Sequence, residues 1–169
     1  MPFNQMMDIS VELTLRRTED GPRMFANPVD EIENLYAEDH ERTNIAIPAD
    51  DETSLNVEGE LFDIEATFDV GDAEELGLVI RGEKLIYNVE RERLLFGESE
   101  APLKPVDGRI SLRCIIDRTS IEIFANNGRI YMPCRLPAQD NNNSLALFAS
   151  GGTAKAPSIQ LRELKSIWE

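Results

Sequence analysis

The side chains able to do chemistry in this 169-residue chain are overwhelmingly carboxylates: 32 Asp and Glu against 17 Lys and Arg, with one His and two Cys. With so many acids, close neighbours arise by chance, so each cluster needs a chemical reason before it counts as a site. Asp50-Asp51-Glu52 offers clustered oxygens of the kind calcium prefers, but no spaced loop of the EF-hand type surrounds it. It reads as a solvated turn, as do Glu74-Glu75 and the pair Asp39 and Glu41. His40 lies between those last two acids and reads as solvent-facing; a serine nucleophile would need a histidine in reach, and an acidic stretch is a poor place for one. Cys114 and Cys134 occupy apolar, strand-like settings. Buried free thiols are the expectation, with a single bridge as the alternative in a secreted protein, and zinc lacks the histidines it would need. Gly151-Gly152 is isolated and makes no phosphate loop. Asn142-Asn143-Ser144 has the form of a glycosylation acceptor, meaningful only in a eukaryotic secretory pathway. No metal or cofactor is expected from these residues.

Charge narrows the partners. The net charge is −15, and it is unevenly spread: residues 19–75 hold 19 acids and two bases, residues 76–169 hold 11 acids and 13 bases. Phosphate backbones and anionic bilayers are repelled by such a chain, so neither nucleic acid nor a membrane is an expected partner. No apolar run reaches the roughly 18–20 residues that span a bilayer, and no basic start followed by an apolar stretch marks a signal peptide in this chain. No Gly/Ser/Pro-rich linker separates the two halves, which suggests one domain with an acidic face.

The elements that must position these residues are strands. Residues 61–68 place Phe62, Ile64, Ala66 and Phe68 at a period of two, one face to a core and the other to water. Residues 76–81 and 85–89 are short apolar runs around a Gly82-Glu83 turn. Residues 109–116 and 120–124 alternate around Asp117-Arg118, and Asn127-Gly128 is a strong hairpin signal because both residues tolerate positive φ. Residues 130–136, 144–149 and 158–168 continue the pattern. Residues 29–36 fit one short helical turn or a strand. About twelve strands at this spacing predict an all-β chain, a two-sheet antiparallel β-sandwich.

Within that series, Leu112-Arg113-x-x-x-Asp117-Arg118-Thr119-Ser120-Ile121-Glu122-Ile123-Phe124, followed by Asn127-Gly128, resembles the C-terminal β-sandwich module of glycoside hydrolase family 32, the levanases, inulinases and invertases. Ala101-Pro102-Leu103, the opening from Pro2-Phe3-Asn4-Gln5 through Leu13-Thr14-Leu15-Arg16, Gly21-Pro22-Arg23 and the closing residues 161–168 fit the same pattern. Asp8-Ile9-Ser10 departs from it, since relatives tend to carry an aromatic residue and a proline there. The resemblance implies a concanavalin-like jelly roll. It implies a parent that cleaves fructan or sucrose outside the cytoplasm, extracellular or periplasmic, and a catalytic five-bladed propeller as the module's partner. Retaining hydrolysis needs a nucleophilic carboxylate and an acid about 5–5.5 Å apart. The family supplies them from Asn-Asp-Pro and Glu-Cys motifs, with a further carboxylate in Arg-Asp-Pro. None of the three motifs is present: Asn27-Pro28 lacks the aspartate, and Arg113 precedes Cys114.

The resemblance therefore implies a non-catalytic module over residues 16–169, with residues 1–15 leading out of the propeller. Asp117, Arg118, Ser120, Glu122, Phe124, Asn127 and Gly128 are expected to serve structure, Asp117 by capping a turn and Glu122 by facing solvent or the propeller. Tyr36, Tyr87 and Tyr131 are the candidates for sugar contact, with half-buried packing as their ordinary role. A free-standing lectin-like fructan-binding module and a purely structural remnant are the alternatives. An isolated module would expose an apolar face, which predicts self-association as a homo-oligomer.

Overall fold

In a computed structural model, residues 8–137 and 142–166 are described. The strands are β1 (Val11–Thr18), β2 (Gly21–Pro28), β3 (Tyr36–Ile47), β4 (Asp51–Glu58), β5 (Phe62–Asp69), β6 (Glu75–Ile80), β7 (Glu83–Asn88), β8 (Arg93–Phe96), β9 (Ser99–Pro102), β10 (Arg109–Ile116), β11 (Ser120–Ala125), β12 (Ile130–Arg135), β13 (Ser144–Ser150) and β14 (Ala154–Leu164). One sheet has the order β12-β11-β10-β5-β14-β3, the other β4-β13-β6-β7-β8-β9, and all pairings are antiparallel. β1 and β2 form a separate two-stranded hairpin. The edge strands β3 and β4 follow one another in the chain. A single 3-10 turn, Asp30–Leu35, joins β2 to β3.

The alternating residues of β5, β10 and β11 meet those of β6, β7 and β13 between the sheets. Phe62, Ile64, Phe68, Leu78, Leu85, Ile110, Ile123 and Leu147 are all buried in this one core. Each such side chain contributes roughly 1.5–3 kcal/mol on leaving water, and this burial drives the fold. Cys114 and Cys134 belong to the same core and are free thiols. Burial pushes both thiols up in pKa, Cys114 the more completely enclosed. Tyr87 lies wholly inside the core as well. Of the acidic stretch at 50–52, Asp51 and Glu52 open β4.

A second, smaller cluster sits on the outer face of the first sheet. Ile32, Ile115 and Phe124 pack there with Ile9, Leu35 and Leu164. This cluster exists because the lead-in segment and the 3-10 turn fold back over that face. The 15/16 boundary expected from the sequence falls inside β1, whose register with β2 runs unbroken from Val11 to Thr18. Trp168 and the opening residues 2–7 lie outside the described residues. Among the described residues no helix is long and apolar enough to cross a membrane.

Candidate functional site

The signature residues fall on β10, β11 and the turns around them. The Asp117 carboxylate accepts the Arg118 N–H at 2.7 Å, and the Asp117 N–H donates to the Ser120 carbonyl at 2.9 Å, which closes the β10–β11 turn. Arg118 donates from Nε to Glu60 Oε2 at 2.8 Å. The turn is clamped from across the sandwich by Arg81. Its Nη1 donates to the Asp117 and Arg118 carbonyls at 3.1 Å, and its Nη2 donates to the Glu60 carbonyl. Arg81 holds φ at 52° beside Gly82 at 84°, so the β6–β7 hairpin turns on residues 81–82 and not on 82–83. A primed turn needs positive φ at both central positions, and the three captured carbonyls hold a bulky residue there.

Glu122 faces neither solvent nor open space: it is 4% exposed. Its carboxylate accepts the Ile9 N–H and the Tyr131 hydroxyl, each at 2.7 Å. Burial raises the Glu122 pKa above the ordinary glutamate value, against the pull of those two donors. Phe124 is buried beside it and stacks on Tyr131, centroids 4.9 Å apart. Asn126, Asn127 and Gly128 take φ of 46°, 57° and 83°. The Gly128 carbonyl accepts the Ala26 N–H at 2.9 Å, and a Cβ on Gly128 would stand 2.1 Å from the Ala26 carbonyl oxygen. The signature therefore pins the lead-in segment through Glu122 and the β1–β2 hairpin through Gly128.

The three tyrosines are placed apart. Tyr87, 0% exposed, sits between the sheets; among the described residues its hydroxyl finds no partner, and burial lifts its pKa to about 12. No sugar can reach it there. The Tyr131 hydroxyl is engaged by Glu122. The Tyr36 hydroxyl donates to Asp63 Oδ2 at 2.7 Å, and burial together with that bond lifts its pKa to about 12.

Asp63 is the residue that periodicity misassigned. It lies on the face of β5 opposite Ile64, yet it is 0% exposed. Arg113 grips it with two donors, Nε at 3.0 Å and Nη2 at 2.7 Å, and Arg162 Nη1 stands 3.9 Å away. Arg162 also lies over the Tyr36 ring at 5.0 Å. The 3-10 turn and Tyr36 cover this part of the sheet, so a side chain assigned to water is enclosed. Arg113 was visible within the signature stretch; nothing local to residues 61–68 pointed to Asp63.

Two clefts flank the network. One, ≈ 490 Å³, lies between Ile9, Ile32, Leu35, Ile115 and Leu164. The other, ≈ 220 Å³, is polar and lies between β2 and the outer face of β5 and β10, lined by Asn27, Glu65, Thr67, Ser111, Arg113 and Asn127. Possible metal ligands converge where His40 Nε2 stands 3.2 Å from Glu163 Oε1 and 3.9 Å from Glu38 Oε2. Glu38 is largely solvated, and of the two acids only Glu163 is within hydrogen-bond distance of His40.

Fold and site together define a two-sheet β-sandwich module in which Asp117, Glu122, Phe124 and Gly128 take part in turns, buried bonds and the seating of its own leading segments. The chain belongs to the glycosyl hydrolases family 32 C terminal family, whose sequence model matches residues 31–163. A levanase of Bacillus subtilis (strain 168) is 30% identical over 191 residues, covering 99% of this chain and 28% of the levanase. A sucrose-6-phosphate hydrolase of Escherichia coli is 28% identical over 155 residues, covering 84% of this chain and 32% of that protein. The chain thus spans about a third or less of these relatives. The exo-inulinase of Aspergillus awamori superposes with a TM-score of 0.78 at 16% identity, over 95% of this chain and 36% of that one, which establishes the shared sandwich fold.

Proposed function

We propose that this chain is the non-catalytic C-terminal sandwich of a fructan- or sucrose-cleaving glycosidase, and that it buttresses a catalytic five-bladed propeller and borders its cleft. The observation that carries this reading is the coverage: the B. subtilis levanase aligns with 99% of this chain while the chain accounts for 28% of the levanase. A parent acting on polymeric fructan would work outside the cytoplasm, in the extracellular space or periplasm. The exposed apolar side chains support a covering partner at one place. Leu13, Leu15 and Met24 are 59%, 74% and 62% exposed, and Leu15 pairs directly with Met24 across the β1–β2 hairpin. That strip is where the propeller would seat, and in its absence a second copy would compete for it.

Two assays test the reading. The chain alone should release no fructose from levan, inulin or sucrose. A chimera in which it replaces the part of the B. subtilis levanase that it matches should regain levan hydrolysis that the levanase without that part lacks. Turnover by the isolated chain, or a folded chimera no more active than the truncation, would overturn it.

A further inference from the structure

The registers of the first sheet bring side chains from distant strands into straight rows on its outer face. Ser111 pairs with Thr67, Thr67 with Ser158, and Ser158 with Thr43, so four hydroxyls stand abreast across β10, β5, β14 and β3. With strands about 4.8 Å apart, the row is about 14 Å long. Among the described residues none of the four hydroxyls has a hydrogen-bond partner in the chain. Beside it runs a second row, Arg113, Glu65, Gln160 and Glu41. At the β10 end the rows run into the ≈ 220 Å³ cleft beneath β2, where the side-chain amides of Asn27 and Asn127 likewise have no partner among the described residues and Phe124 lends an apolar wall.

The charge of this face points to the class of ligand. In a chain of net charge −15, every outward acid of β5 is paired with a base: Asp63 with Arg113 at 2.7 Å, Glu65 with Arg162 at 2.7 Å, Asp69 with Arg109 at 2.6 Å. Across β10, β5 and β14 these charges balance, and Glu41 at the β3 end adds one exposed acid, so the face does not attract anions. Along the two rows the outward side chains are polar apart from the Phe124 wall; the apolar ≈ 490 Å³ cleft between Ile9, Ile32, Leu35, Ile115 and Leu164 lies further along β10 and β14, beyond Arg113 and Arg162. What it offers is a line of groups that both donate and accept, ending in a small cleft with two amides, a carboxylate and a guanidinium. That inventory suits a polyol.

We propose that this outer face binds a neutral carbohydrate chain laid across β10, β5, β14 and β3, with one sugar ring held in the cleft beside Asn27 and Asn127. The geometry carries the site itself; the choice of fructan as first probe rests on the function proposed above.

The test is an amide-resolved NMR titration of the 169-residue chain with levan oligosaccharides, and in parallel with dextran oligosaccharides, alongside calorimetry of Thr67→Trp and Thr67→Val. Saturable shifts confined to Thr43, Thr67, Ser111, Ser158 and their neighbours are expected. Thr67→Trp, which stands an indole across the row, should weaken binding at least tenfold. Thr67→Val, which removes one hydroxyl, should weaken it roughly three- to tenfold. Saturable binding of dextran but not levan would uphold the groove and count against the fructan reading of the parent. Shifts mapping elsewhere, unchanged affinity in a folded Thr67→Trp, or no saturable binding of either glycan at about 10 mM would overturn the proposal. The shift map of the unaltered chain decides if the tryptophan variant fails to fold.

Discussion

Replacing Asp63 with alanine probes the network that ties Tyr36, Arg113 and Arg162 to the middle of the first sheet. The carboxylate is fully enclosed and accepts two bonds from Arg113 and one from Tyr36, at 2.7–3.0 Å. Removing one member of a buried ion pair costs about 3–5 kcal/mol, because the other charge stays behind without its partner. Arg113 keeps about a quarter of its side chain in contact with solvent, which places the loss near 3 kcal/mol. With a urea m-value of about 2 kcal/mol/M, the unfolding midpoint should fall by about 1.5 M. The loss belongs to the stranded charge and not to the volume removed. Asp63→Leu combined with Arg113→Met should therefore recover at least about half of it, since apolar replacement of a whole buried pair is often neutral or stabilising. Urea curves followed by far-UV circular dichroism give all the midpoints. A shift under about 0.25 M for Asp63→Ala, or effects that simply add in the double variant, would refute the reasoning.

Three further outcomes follow from the site. Glu122 binds its proton more tightly folded than unfolded, so its contribution to stability falls as pH rises from the ordinary glutamate value toward its raised folded value. Glu122→Gln should lose that segment of pH dependence, read as the difference between the two proteins' melting temperatures across pH 4–7; parallel curves would contradict it. Gly128→Ala forces a Cβ to within 2.1 Å of the Ala26 carbonyl at a φ of 83°, so the β1–β2 hairpin should lift from β12 and its amides exchange at least tenfold faster while the core stays protected. The buried thiols of Cys114 and Cys134 should ignore a disulfide reagent at pH 8 until denaturant is added, and fast labelling of the native chain would show the core to be looser than described.

The central strands were legible because they obey a strict period of two. Phe62, Ile64, Ala66 and Phe68 mark β5, and Ile110, Leu112 and Cys114 mark β10, each with its apolar half inside the sandwich. The Asn127-Gly128 turn was legible for a conformational reason. The edges were not: in β3, residues 37–44 hold no large apolar side chain, since an edge strand has little core to face. The turn at 81–82 was hidden because nothing local to Arg81 announces the carbonyls of Glu60, Asp117 and Arg118 that hold it. The enclosure of Asp63 and Glu122 depends on chain arriving from Tyr36 and Ile9, separations of 27 and 113 residues. Periodicity describes one sheet with two faces and carries no word of what later covers the outer one.

The succession of β3 and β4 has a consequence for the protein in concentrated solution. Each is the last strand of its sheet, and a short turn at 49–50 joins them. Unpaired strand edges invite another molecule to continue the sheet. Here those edges carry Glu38, Asp39, Glu41, Asp51, Glu52 and Glu58, so a second molecule approaching edge to edge meets a like-charged fence. The acidic stretch thus acts as a colloidal guard. It weakens where salt shortens the Debye length to a few ångströms, and it fails near the sequence pI of 4.5, where the repulsion that keeps these edges apart is lost.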